Sequence, residues 1–401
     1  MSEEWRLASL GEVFETDNAR LGRHDNEPTV FSMSKYDGFV RADEYFDKRI
    51  ASENLDGYKI VPSNGWAFST IHIDEGSIAL NDLGIEGVVS PMYTTLRWIS
   101  NADDPRFIAL VVKSPSMLNE YKHRAQGTVN RRRSLPYKEF ARIEVSLPPL
   151  AAQRRIVVVI DSIDKQIAAL DAERDAVQRA RKSLLKELLR DDTDWIETTL
   201  GEVAVVNPEL AKGWDLNRII RYVDIASVNA TEGIDTEAVA TLAFGDAPGR
   251  ARRIMRTGDV LVSTVRPNLR AFASVPSSLD GELASTGFAV VRATDRVHPR
   301  FVWSIVTLDG FANDMVAKCT GSNYPAIRAS DVASFQFRLP PLATQQRIAD
   351  LIGSIDKQIT ALYTELKDMR VLRSAVLNAL ISREIEIPWS FDKLLKKKVT
   401  V

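Results

Sequence analysis

The stretch LPPLAAQRRIVVVIDSIDKQIAAL, Leu147 to Leu170, returns as LPPLATQQRIADLIGSIDKQITAL at Leu339 to Leu362, identical at 17 of 24 positions. A second repeat starts at tryptophan, WRLASLGEV (Trp5 to Val13) against WIETTLGEV (Trp195 to Val203), at nearly the same offset. A fainter third start follows at Trp389 to Leu394. Self-similarity at a fixed offset is the sequence mark of a duplicated architecture, here a half of about 190 residues written twice. Between the repeated parts the halves share only traces, such as Ser69-Thr70 beside Ser263-Thr264, and SPMYTTLR (Ser90 to Arg97) beside STGFAVVR (Ser285 to Arg292). The frame is duplicated and the two inserts have diverged.

After each Pro-Pro the apolar residues fall at spacings of four and three. The first series is Ile156, Ile160, Ile163, Ile167, Leu170, Val177, Leu184 and Leu188. The second is Ile348, Ile352, Ile355, Ile359, Leu362, Leu366, Met369, Val376 and Leu380, an a/d heptad seam sustained for more than four heptads. Pro148, Pro149, Pro340 and Pro341 mark the helix starts, and Asp191 to Asp194 and Pro388 the ends. Each helix should run about 35 residues, on the order of 50 Å at 1.5 Å per residue. The seams can pair with each other or with another chain. Two such seams in one chain should pair with each other, and connectivity then makes the pair antiparallel, with the inserts related by a pseudo-two-fold axis. Arg174, Arg181 and Arg373 interrupt the seam, either as register-setting residues or as contacts to a partner.

Each insert reads as a mixed α/β domain of about 130 residues, since runs of 4–8 apolar or alternating residues bounded by Gly, Asn and Asp mark strands. Strands are expected within Gly65 to Ile73, Gly87 to Ile99 and Ala141 to Leu147, and within Asp259 to Val265, Leu283 to Val291 and Ala333 to Leu339. Helices are expected over Pro105 to Tyr121 and Pro299 to Lys318. The expected division is 1–146 and 195–338 for the inserts, 147–194 and 339–388 for the long helices, and 389–401 for a basic tail.

With 401 residues, 45% hydrophobic and 26% charged, the chain is neither disordered nor fibrous. No run of about 18 apolar residues occurs, and the charges within Met1 to Asn18 leave no signal peptide, so a soluble, cytoplasmic protein without membrane contact is expected. Cys319 is alone, and His24, His72, His123 and His298 lack metal-ligand spacing. The net charge of −2 speaks against a uniformly basic nucleic-acid binder. Charge is nevertheless concentrated. Lys122 to Arg142 holds seven basic residues (Lys122, Arg124, Arg131, Arg132, Arg133, Lys138, Arg142) against Glu139, and Arg250 to Arg270 holds six (Arg250, Arg252, Arg253, Arg256, Arg266, Arg270) against Asp259. Such patches either bind phosphates and guanine edges or are solvated loops. Thr128 and Asn130 before Arg131, Thr264 and Asn268 around Arg266, and Ser322, Asn323 and Tyr324 before Arg328 interleave polar groups suited to phosphate or adenine contacts, or to ordinary turns.

The LPPLxxQxRI and SIDKQIxAL segments, the tandem WxxxxLGEV openings and STVRPNLRAF (Ser263 to Phe272), in this order over nearly the whole chain, resemble the specificity subunits of type I restriction-modification systems. The resemblance implies two target-recognition domains, each reading one half of a split, asymmetric double-stranded DNA target. It also implies two long coiled-coil helices that act as a ruler and dock two methyltransferase subunits, with restriction-translocase subunits completing the complex. Carried over by position, the recognition loops include Thr70, His72 and Lys122 to Arg133, then Thr264, Arg266, Asn268, Arg270 and Ser322 to Arg328; Arg252 and Arg253 join them from the basic patch. Many relatives carry an acid where Ala152 and Thr344 stand, so no contact made by that acid is carried over. Catalysis is not expected. Asn207-Pro208-Glu209-Leu210 lacks the second proline and aromatic of an adenine methyltransferase motif, no glycine-rich cofactor loop occurs, and Glu365-Leu366-Lys367 sits on the heptad helix. No cofactor and no metal are expected. An orphan or homodimeric recognition subunit of a related modification system is the alternative.

Overall fold

The computed structural model describes residues 4–23, 27–34, 38–45, 52–126, 134–190, 194–229, 233–321 and 325–392. Its contacts divide the chain into two units, 1–167 with 368–401, and 168–367.

The two units are built alike. In the first, strand Arg6–Ser9 pairs antiparallel with Glu144–Leu147 and so ties the beginning of the insert to its end. A four-stranded antiparallel sheet follows the order Phe14–Asp17, Tyr93–Trp98, Trp66–Ser69, Ile78–Leu80. In the second unit Ile196–Thr199 pairs with Gln336–Leu339, and the matching sheet runs Ala204–Val206, Phe288–Ala293, Val260–Ser263, Phe272–Ser274. The helix pairs correspond as well, Pro105–Val112 with Pro115–Arg124, and Pro299–Val306 with Asp309–Ala317. The inserts are thus duplicated in fold although their sequences share only traces. Unit two adds a second four-stranded sheet, Ala240–Ala243, Ile219–Val223, Leu283–Ser285, Ala251–Ile254, whereas unit one has two-stranded pairs, Phe31–Ser34 with Gly38–Arg41 and Lys59–Val61 with Gly87–Val89.

Several expected elements are split. Gly87 to Ile99 is two strands broken at Ser90-Pro91-Met92, and Leu283 to Val291 is two strands broken at Thr286-Gly287. The expected helix Pro105 to Tyr121 is two, because Pro115 cannot continue a helix and instead starts the next one, with Ser114 Oγ accepting from Met117 N at its N-cap.

The repeated LGEV has a local reason. Ser9 and Glu12, and Thr199 and Glu202, form capping boxes at one-turn helices, and the Ser9 amide and hydroxyl donate to the Glu12 carboxylate at 3.0 Å each. The glycine is there because a Cβ at Gly11 would lie 3.1 Å from the Ala141 carbonyl oxygen, and one at Gly201 3.0 Å from the Ala333 side chain. The repeated LPPLxxQ also has one. Gln153 is fully buried; its amide oxygen accepts from Asp104 N at 2.7 Å while its nitrogen donates to Pro148 O and to Asp103 at 2.8 Å each. In unit two the buried Gln345 accepts from His298 N at 2.8 Å and donates to Pro340 O at 2.8 Å. Each glutamine therefore joins the start of a long helix to the N-cap residue of an insert helix, Pro105–Val112 or Pro299–Val306.

The long helices run Leu150–Leu188 and Leu342–Ile381, 39 and 40 residues, slightly longer than expected. Within unit one, Ile156 and Ile160 share a core with Leu377 and Leu380; within unit two, Leu185 shares a core with Ile348 and Ile352. Numbers rise along one helix as they fall along the other, so the pairing is antiparallel and intramolecular. Fully burying one such side chain stabilises by about 1.5–3 kcal/mol. The arginines that blemished the seam are paired across it. Arg181 forms a two-pronged ion pair with Asp356, which also accepts from Trp303 Nε1 at 3.1 Å, and Arg373 forms its counterpart with Asp164, one prong at 2.9 Å. Arg174 lies 5.3 Å from the Tyr363 ring centre and pairs with Asp171 and Asp175. Beyond the C-terminal end of the second helix, the half-exposed Asp392 pairs with the buried Arg155 at 3.1 Å.

The two duplicated ion pairs differ in burial: the side chains are 10% and 29% exposed for Arg181 and Asp356, against 29% and 43% for Arg373 and Asp164. Arg181→Ala should therefore cost about 3 kcal/mol, as for a largely buried pair that loses one partner. Arg373→Ala should cost under about 1 kcal/mol, as for an exposed pair. Urea unfolding of the two variants measures the difference, and equal losses would contradict it.

Candidate nucleic-acid interface

In unit two the central strand Val260–Ser263 delivers Thr264 to the sheet edge. Thr264 is 8% exposed; its amide and its hydroxyl both donate to Gly287 O at 2.8 Å, and its carbonyl accepts from Ile327 N at 2.9 Å. Its hydroxyl is thus an anchor and not a phosphate contact. Arg266 N donates to Pro325 O at 2.8 Å, which stitches the loop to the segment after Thr320. Arg266 and Arg270 both adopt the left-handed conformation, at φ 50° and 51°, around a one-turn helix Pro267–Leu269. That conformation costs a side-chain-bearing residue about 1–2 kcal/mol, so the loop is held in shape by its surroundings. Arg270 supplies part of the hold through an ion pair to Asp309 at 2.5 Å, at the start of the helix that packs on the turn. With Pro267 buried and Arg270 tied back, Arg266, Asn268 and Leu269 are the exposed tip, Leu269 at 59%. Leu269 was missed in the sequence because nothing in spacing distinguishes it from a core leucine. Arg328 is exposed and begins the short helix Ala329–Ala333. Ser322, Asn323 and Tyr324 lie outside the described residues.

Unit one uses the same device. Strand Trp66–Ser69 ends at Thr70, whose carbonyl accepts from Leu135 N at 2.8 Å, as that of Thr264 does from Ile327. Gln126 and Ser134 bridge each other as Thr320 and Ala326 do. The segment they enclose carries Thr128, Asn130, Arg131, Arg132 and Arg133, which lie outside the described residues. His72 opens the turn Ile73–Glu75 and its ring nitrogen lies 3.4 Å from Glu75. Helix Pro115–Arg124 packs on that turn, as Asp309–Ala317 packs on Pro267–Leu269. On helix Pro115–Arg124, Lys122 is exposed, and Arg124 is paired with Glu120.

The Arg250 to Arg270 patch is not one surface. Arg253 is half-buried on strand Ala251–Ile254, where desolvation lowers its basicity. Arg256 and Arg292 are committed to Glu209, with Arg256 Nη2 at 2.9 Å, and Arg292 also holds Asp259. Arg250 and Arg252 are exposed on another side of the patch, and the Arg250 carbonyl accepts from Thr286 N at 2.8 Å, one residue before Gly287. Thr286-Gly287 is thus the joint between the two basic segments, and sequence reading took it as the interior of a strand.

The chain as a whole has relatives among known proteins. The family model for the type I restriction modification DNA specificity domain matches residues 2–179 and 280–368, more than half of the chain. The chain belongs to that family. It is 19% identical over 421 aligned positions, covering 96% of itself and 94% of the relative, to the type I restriction enzyme MjaVIII specificity subunit of Methanocaldococcus jannaschii. It is 26% identical over 174 residues, 42% of the chain and 36% of the relative, to the HindI specificity subunit of Haemophilus influenzae. Among solved structures, the type I restriction-modification S subunit from M. genitalium superposes with a TM-score of 0.53 at 12% identity, covering 94% of this chain and 96% of that one. A chain from a study of complex assembly and conformational transition of a type I R-M system gives 0.52 at 18% identity, with 94% and 97% covered. As a specificity subunit the chain recognises DNA by sequence and is not the catalyst. Among the described residues no group of three or more His, Cys, Asp or Glu could hold a metal ion, and no helix is long and apolar enough to cross a membrane.

Bonds from Arg256 and then Arg292 pull the Glu209 carboxyl from its ordinary 4.5 down to about 2. The unfolded chain therefore takes up this proton at higher pH than the folded chain, and the stability it contributes is complete above 4.5 and lost as pH falls toward 2. Glu209 is a third exposed, so the contribution is about 1 kcal/mol or less. Comparing the urea unfolding of Glu209→Gln with the parent across this range should show a gap that closes as pH falls; a gap independent of pH would contradict it.

Proposed function

We propose that each unit presents one recognition face, that the two faces read different half-sites of a bipartite DNA target, and that the chain thereby positions methyltransferase and restriction-translocase subunits of a type I system. The observation that carries the reading is one strand-end device used twice with different tips: Thr70, His72 and Lys122 in one unit, Arg266, Asn268 and Leu269 in the other. Arginine pairs with the O6 and N7 edge of guanine and asparagine with the N6 and N7 edge of adenine, while an apolar tip suits the thymine methyl group. A bound methyltransferase then flips an adenine out of the stack. The two long helices are the proposed spacer, supported by their duplicated seam, and would hold half-sites about one helical turn, ~34 Å, apart.

Methylome sequencing of cells carrying the subunit and its methyltransferase partner tests both parts. Arg266→Ala should relax or abolish one half-site, at a cost of about 1–3 kcal/mol for a bidentate base contact, and leave the other intact. Equal damage at both half-sites would sink domain-by-domain reading. Removing one heptad from each long helix should shorten the unread spacer and keep both half-sites, and an unchanged spacer would refute the ruler.

A further inference from the structure

Unit two carries a second cationic surface that the recognition tip does not use. Residues 212–218 and 244–252 lie side by side, zipped by Phe244 N donating to Arg218 O and Gly245 N to Leu216 O, both at 2.8 Å. Contact is close enough that a Cβ on Gly245 would lie 3.2 Å from the Leu216 backbone oxygen. Trp214 and Phe244 meet at 5.6 Å between ring centres. Arg218 stacks on Trp214 at 3.8 Å and Arg252 lies over Phe244 at 5.9 Å.

Lys212, Arg218, Arg250 and Arg252 are all exposed, with Asp215 and Asp246 the acids on the same two segments. Asp215 is occupied in part by accepting from Asn217 N at 2.9 Å. Arg256, Arg270 and Arg292 are each engaged by a carboxylate, whereas among the described residues none of these four is seen in an ion pair. Four cations beside two acids leave a net positive surface, which attracts a polyanion. The Arg218 guanidinium, stacked on its ring, keeps its edge donors outward and loses little side-chain freedom on binding, while Arg252 gives its Nε to Gly249 O at 2.8 Å and keeps its terminal nitrogens for a ligand. The surface also borders the recognition loop, because the Arg250 carbonyl accepts from Thr286 N and the next residue, Gly287, accepts from Thr264.

We propose that Lys212, Arg218, Arg250 and Arg252 form a second phosphate-binding surface that grips the DNA backbone beside the half-site read by the Arg266–Arg270 loop. The inference rests on unit two meeting DNA through that loop. These contacts bear on phosphates, so they add affinity and register without sequence preference.

The test uses the complete complex with its methyltransferase subunits. Binding to a random-sequence duplex and to a duplex bearing the methylated target is measured across a salt series. Arg218→Ala with Arg252→Ala should weaken both by the same factor, reduce the salt-dependence slope by about 2, and leave the methylated sequence unchanged. Lys212→Ala with Arg250→Ala, which touch neither ring, should reduce the slope equally and guard against misfolding of the first variant. Unchanged slopes in both variants would overturn the proposal. So would loss of a protein subunit from the complex at unaltered DNA affinity, which would make the surface a protein-docking site. If Arg266→Ala spares both half-sites while the slopes still fall, the half-site reading fails and the phosphate surface stands.

Discussion

One buried side chain in each half ties recognition to scaffold. Gln153 and Gln345 sit where a long helix begins, and each bonds the N-cap residue of helix Pro105–Val112 or Pro299–Val306, Asp104 or His298, and the prolyl carbonyl behind it. A buried amide must satisfy both its donor and its acceptor, so it fixes orientation more strictly than an apolar contact of similar size. The ion pair of Arg106 with Asp161 in one unit and the bond from Trp303 to Asp356 in the other add polar contacts between insert and helix. The recognition loops inherit their direction from the helix through this link.

The rest of each unit is organised around that link. The strand pairing of the insert's beginning with its end, the capping boxes at Glu12 and Glu202, and the glycines pressed on Ala141 and Ala333 close the insert next to the helix start. The loops that emerge at the far ends of strands Trp66–Ser69 and Val260–Ser263 are then free to differ. Their backbones are held by the same bonds, to Leu135 in one unit and Ile327 in the other, while their tips share no side-chain chemistry. Conserved backbone geometry with divergent tips is what a reader of two different sequences needs, since phosphate contacts position and base contacts specify.

Electrostatics in unit two divides the same way. Arginines near the core are consumed by carboxylates: Arg292 and Arg256 by Glu209 and Asp259, Arg270 by Asp309, Arg181 by Asp356. These hold the fold. Arg266 and Arg328 stay exposed at the recognition loop, and Arg218, Arg250 and Arg252 stay exposed on one pair of segments. A net charge near zero therefore coexists with local positive surfaces, because some basic residues are paired with carboxylates while, among the described residues, Arg218, Arg250 and Arg252 are seen in no ion pair.

The duplication, the heptad seams, the antiparallel pairing and the mixed α/β character of the inserts were legible in the sequence. Repeats and apolar periodicity are properties of neighbours along the chain, and two heptad seams in one chain can bury each other. The equivalence of Thr70 and Thr264 could be suspected from their apolar settings. What tertiary structure alone decided was which polar residues serve the fold and which face outward. Thr264 and Arg270, credited in the sequence with DNA contact, are turned into anchors by Gly287 and Asp309, residues distant in the chain. Leu269, unremarkable in the sequence, is lifted into solvent by two left-handed arginines. The seam arginines Arg181 and Arg373, blemishes in a heptad list, found aspartates 175 and 209 residues away. Charge and hydrogen-bonding capacity are written in the sequence, but whether they are spent inside the molecule depends on partners that only the fold brings within reach.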